Sequence, residues 1–114
     1  MDVSTESPLS RADLLQTYFH LTRDILPTRA VQEGWVVSAD HCFQRIILDN
    51  VVGDAWRNVL TAKQPAYRQL SDEQLARAVD LAQRIEREGD PLLRTLNQNS
   101  LLWRRKARQN VARS

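Results

Sequence analysis

The residues in this chain that most invite a chemical role are His41 and Cys42. A thiolate beside a base can act as a nucleophile. The two are adjacent, however, and successive helical residues point about 100° apart, so the imidazole would not face the sulfur. A buried structural Cys42 is the better reading. His20 stands alone among Gln16, Arg23 and Asp24, without a second ligand at metal-binding spacing. Gly34, Gly53 and Gly89 are isolated from one another and make no phosphate-cradling loop. The expectation is a protein without catalytic residues, metal or cofactor, and therefore not an enzyme.

Two polar patterns remain. His41, Arg45 and Asp49 fall at i, i+4 and i+8, with Asn50 beside them. Such a row could hold an anion or a partner's charges, but it reads more simply as a chain of intrahelical ion pairs. Trp103 precedes Arg104, Arg105 and Lys106, and with Arg108 and Arg113 these are the cations of the last eleven residues, which contain no acid. An aromatic ring beside cations suits nucleic acid, by base stacking and phosphate attraction. The plainer reading is that cations complement the end of a helix and that Trp103 belongs to the core.

The segments that would position these residues are helical. Ser10 is an N-cap, with Leu9 and Leu14 as a hydrophobic staple. Leu14, Tyr18, Leu21 and Ile25 then recur at helical spacing, and Pro27 predicts a stop near Leu26. Pro27 to Ser38 reads as a connector in which Trp35, Val36 and Val37 resemble strand residues and Trp35 folds down as a lid. A second helix starting near Ser38 to Asp40 extends to Thr61, with Gly53 marking a kink, a break or a close crossing. Leu70 to Leu75 combines a capping box, Ser71 with Gln74, and a staple. That helix ends at Gly89 in the left-handed conformation. Asp90 and Pro91 then cap and begin a last helix that frays after Arg108, and the short link at Gly89 predicts an antiparallel hairpin.

The predicted fold is all-α, a compact bundle of four or five helices that dimerises. Residues 1–9 are expected to be disordered, 10–108 to form one helical domain, and 109–114 to be a basic tail. With 42% apolar and 26% charged residues the composition is that of an ordinary globular domain, and no apolar run is long enough to span a bilayer. The polar start lacks the features of a secretory signal, so a cytoplasmic location is expected. A single cysteine permits no internal disulfide.

The stretch His41-Cys42-Phe43, Arg45-Ile46, Asp49-Asn50 and Trp56, with the later Leu96-Asn97, Ser100-Leu101 and Trp103-Arg104, resembles a set of short proteobacterial proteins. Some carry acetyltransferase-like names, but this chain shows no pyrophosphate-holding glycine loop of the acetyltransferase kind. Within that set the chain is similar to the quorum-sensing anti-activators. The resemblance implies a helical dimer without cofactor or turnover that binds a LuxR-type (LasR-like) transcriptional regulator and blocks its dimerisation. The alternative is a small nucleic-acid-binding protein that uses its basic C-terminal helix and tail.

Helices two to four have matched stripes and can close a core among themselves, which would leave the first helix to present an apolar edge. The expected partner surface is therefore Leu15, Tyr18, Phe19, Trp35 and Val36. Stripes wider than one neighbour covers also imply self-association. Light scattering at tens of micromolar is expected to give about twice the 13.2 kDa chain mass; a strictly monomeric mass with an intact helical signal would remove the dimer.

Overall fold

The computed structural model describes the backbone of residues 10–113 and the side chains of residues 10–108. Leu9 and the expected disorder of residues 1–9 lie outside the described residues. Every regular segment described is helical. The order is α1 (Arg11–His20), a π-helical turn (Leu21–Ile25), α2 (Leu26–Glu33), α3 (Asp40–Val52), the one-turn helices α4 (Trp56–Val59) and α5 (Ala66–Gln69), α6 (Asp72–Glu88) and α7 (Asp90–Arg113). No described helix is long and apolar enough to cross a membrane.

Ser10 caps α1 as expected, its hydroxyl accepting the Asp13 N–H at 3.1 Å. The helix does not stop at Leu26. Between Leu21 and Ile25 it widens into a π turn, in which the Leu26 N–H reaches back five residues to the Leu21 carbonyl. Pro27 then falls in the first turn of the next α-helical segment, where a missing N–H costs little. The connector therefore shrinks to residues 34–39 and contains no strand.

The anticipated second helix is broken. Gly53, with φ 78° and ψ 23°, is the left-handed C-cap of α3, and its N–H closes on the Asp49 carbonyl at 2.8 Å. Ala39 occupies the N-cap of α3, rather than Ser38 or Asp40, and supplies no side-chain bond. The capping box of α6 forms in both directions, Ser71 Oγ accepting the Gln74 N–H and Gln74 Oε1 accepting the Ser71 N–H.

Gly89 is the only residue between α6 and α7. Its φ is positive, but ψ is −149°, so it is not in the left-handed helical basin expected for it. It lies instead in a region open essentially to glycine alone. Its carbonyl accepts the Leu93 N–H, which leaves Asp90 inside the helix rather than capping it. The Asp90 carboxylate accepts from Arg94 and from the Val36 N–H, and these bonds hold its pKa below the usual carboxylate value. The 34–39 connector is thereby pinned to the start of α7. That helix does not fray at Arg108 but runs to Arg113.

The core is one continuous cluster. Leu14, Tyr18 and Leu21 pack toward α6, which contributes Leu75, Ala78, Val79, Ala82 and Ile85. Phe43, Ile46 and Ile47 from α3 and Leu93 and Leu96 from α7 complete it. The first helix is thus built into the core, most extensively against α6, and is not a detached edge. Trp35 is the expected lid, buried with its ring edge-on to Phe43 and close to Gly89. The radius of gyration, 15.2 Å, exceeds the roughly 13 Å of a compact chain of this length. At 24 residues α7 is the longest of the described helices.

The conformation of Gly89 predicts an asymmetry among the glycines. Gly89→Ala is expected to lower stability by about 1–3 kcal/mol in urea titration. Gly34→Asn, at a left-handed helix end with open space around it, should change stability by about 0.5 kcal/mol or less. Equal losses at the two sites would contradict this account.

Candidate functional site

Asp49 is fully buried in the third turn of α3, on an otherwise apolar face. A buried carboxylate must be neutralised and fully hydrogen-bonded to be tolerated. It is both. Arg104 of α7 grips it with two parallel bonds, Nε to Oδ2 at 2.8 Å and Nη2 to Oδ1 at 3.0 Å. Ser100 Oγ donates to Oδ2 at 2.6 Å, and the Trp56 backbone N–H donates to Oδ1 at 2.9 Å. The last bond satisfies a free donor at the start of α4 with a negative charge, the favourable sign at a helix N-terminus.

Around this centre the polar seam continues. Arg45 donates to Ser100 Oγ at 2.9 Å and to Asn97 Oδ1 at 3.0 Å. Asn50 Nδ2 reaches the Ile46 and Leu96 carbonyls, while its Oδ1 accepts from Asn99. The row at His41, Arg45 and Asp49 is therefore no intrahelical ion-pair chain. Arg45 and Asp49 both turn away from each other's charge toward α7, and exposed His41 pairs with its neighbour Asp40, at 3.7 Å. Arg104, read as part of a solvating basic tail, is instead a structural cation.

Beside the seam, α1, α3, α4 and the loop before α5 enclose a groove of about 650 Å³. Tyr18, Phe19, Trp56 and Tyr67 give it aromatic walls. Arg23, Arg45, Arg57, Lys63 and Arg104 also line it, with His41 and no Asp or Glu. Arg23 lies over the Phe19 ring at 3.9 Å and Arg57 over the Trp56 ring at 5.3 Å. Tyr67 meets Phe19 edge-on at 4.9 Å. The hydroxyl of Tyr18 is buried without a hydrogen-bond partner, and burial pushes its pKa well above the ordinary tyrosine value against the weaker opposing pull of Arg23. It is a protonated donor with nothing to donate to.

Comparison with known protein families, curated proteins and solved structures gives no match. The functional reading therefore rests on the residues and their geometry.

The five residues expected to form a partner surface do not form one patch. Tyr18, 1% exposed, and Trp35 are in the core. Leu15 and Phe19 are half-buried against it, and Val36 is exposed beside the start of α7. Cys42 is half-buried rather than enclosed, and His20 pairs with Asp24 at 3.3 Å. Trp103 is half-buried at the edge of the seam. Among the described residues no group of His, Cys, Asp and Glu could hold a metal ion. Exposed apolar side chains occur where the sequence reading did not look, at Val31, Val59 and, next to each other on α7, Leu101 and Leu102.

Breaking the seam from its two sides should have unequal effects. Arg104→Ala strands a buried charge and is expected to cost about 3 kcal/mol or more. Asp49→Asn keeps an acceptor and leaves a partly exposed arginine that water can reach, for a loss of about 1–2 kcal/mol. Denaturant titration of both variants checks the order, and a larger loss for Asp49→Asn would contradict it.

Proposed function

We propose that this chain is a non-enzymatic regulatory protein that binds a LuxR-type transcriptional regulator, LasR-like in kind, and blocks its dimerisation and DNA binding in the cytoplasm. This is the role of the quorum-sensing anti-activator QslA, to which the sequence bears its resemblance. The residues that carry that resemblance support the reading physically. Arg45, Asp49, Asn50, Asn97, Ser100 and Arg104 are distant in sequence yet belong to one seam, so a protein sharing them would share the way α3 is fastened to α7.

The observation that carries the proposal is the outer face of α7. Among the described side chains Ser100 is the last buried one of that helix, and Leu101 and Leu102 that follow it are 50% and 47% exposed. A helix that leaves its bundle with adjacent apolar side chains uncovered is a form suited to docking on another protein. The same leucines are where a second copy of the chain would meet the first. A second reading draws on the next turn, where Arg105, Lys106 and Arg108 are exposed on the continuing helix and could attract nucleic-acid phosphates.

Leu101→Glu with Leu102→Glu is expected to weaken binding to a purified LuxR-type regulator by about thirtyfold or more, since buried leucines at an interface centre contribute about 2 kcal/mol or more together. Melting temperature and helical signal should stay unchanged, because neither side chain is in the core. Full binding by this double variant, or regulator binding abolished only by neutralising Arg105, Lys106 and Arg108, would sink the proposed surface.

A further inference from the structure

The groove beside the seam has properties that protein docking on α7 leaves unused. Its cations outnumber what the seam consumes. Arg104 is neutralised by Asp49, but Arg45 bonds only to the uncharged Ser100 and Asn97. Among the described residues Arg23, Arg57 and Lys63 have no carboxylate partner. Two of these cations are held against ring faces, which keeps them at the groove without neutralising them. Arg23, Arg57 and Lys63 are solvent-exposed, and a rim of one sign of charge raises the local concentration of the opposite sign.

The interior favours a particular kind of anion. Aromatic walls and the apolar Leu48 and Pro65 offer flat surface. Tyr18 is one of the lining residues, and its hydroxyl is buried behind that wall without a protein partner, at a cost to the folded protein of about 1–3 kcal/mol. A cost of that kind is recovered when a ligand supplies the acceptor. The volume, about 650 Å³, is that of a site for one small molecule. A nucleic-acid strand would need a charged track along several nucleotides, whereas these cations surround a single hollow.

We propose that this groove binds a small aromatic anion, with its ring against Phe19 and Trp56, its carboxylate, sulfonate or phosphate group among Arg23, Arg57 and Lys63, and, once the wall over the buried Tyr18 hydroxyl gives way to the ligand, an acceptor atom on that hydroxyl. The site is lined mainly by residues outside α7, which contributes Arg104. It would give the protein a small-molecule input at the place where α1, α3 and α4 meet.

Calorimetric titration of the full chain with 1-naphthyl phosphate tests this, with 1-naphthol and inorganic phosphate as halves of the probe. Naphthyl phosphate is expected to bind with a dissociation constant of about 10–100 µM, and each half about tenfold or more weaker. Arg23→Gln with Lys63→Gln should reduce the affinity about tenfold, while Arg84→Gln, in a surface pair with Glu88, leaves it unchanged. Tyr18→Phe separates binding from folding: it should keep or raise the melting temperature, because an orphaned hydroxyl is removed, and still weaken the probe about fivefold or more. Four results would overturn the proposal: no heat at about 1 mM probe, phosphate binding as tightly as naphthyl phosphate, unaltered affinity in Tyr18→Phe or in the double variant, or a short oligothymidine binding more tightly than the probe.

Discussion

A single carboxylate sets the geometry of half this molecule. Asp49 sits where solvent cannot reach it, so every lone pair it carries has to be met by the protein. Meeting them fixes the position of Arg104 and Ser100 on α7 and of the first amide of α4. Its own backbone carbonyl accepts the Gly53 and Asp54 amides, so the same residue also ends α3. Apolar burial would hold α3 against α7 at several rotations and offsets of similar energy. A bidentate pair with one lysine-free, planar geometry selects one of them.

That selection extends to the groove. Arg45 and Arg104 are lining residues whose guanidinium groups are held from behind by the seam, so two of its cations are placed before anything enters. Arg23 and Arg57 are placed by ring faces instead. Tyr18 belongs to both the core and the groove, and there the two roles conflict: packing wants its ring buried, while its hydroxyl wants a partner that packing does not provide. A residue that fits its surroundings badly in one respect is where a fold departs from being optimised for stability alone.

The legible parts of the sequence were those governed by neighbours in the chain. Ser10, the Ser71–Gln74 box and the glycine at the end of α6 all act within four residues, and each marked a real boundary. The spacing of Leu75, Ala78, Val79, Ala82 and Ile85 gave the buried face of α6 for the same reason. Asp49 and Arg104 were visible only as local pattern, one as a rung in a helix and the other as a terminal cation, because 55 residues separate them and nothing local announces their pairing. Pro27 misled for a related reason: its usual effect assumes an α-helical ladder, and the π turn before it changes the ladder. Tyr18 and Trp35, expected at a partner surface because they are large and amphipathic, are core members, since such residues suit either place and helix-to-helix placement decides which.

The π turn at Leu21–Ile25 also bears on how the chain tolerates changes in length. A π turn is the geometric result of one extra residue within an α-helix, taken up as a local bulge while the hydrogen bonds on both sides continue. The segment from Arg11 to Glu33 is thus a single rod carrying a one-residue surplus. Elsewhere in that rod, adding or removing a residue would rotate everything beyond it by about 100° and carry Leu26 and Ala30 out of the core. Within Leu21–Ile25 a deletion can be absorbed by closing the bulge, with both buried faces kept in phase. Among chains that share this architecture, length variation in the first rod therefore belongs at this one turn.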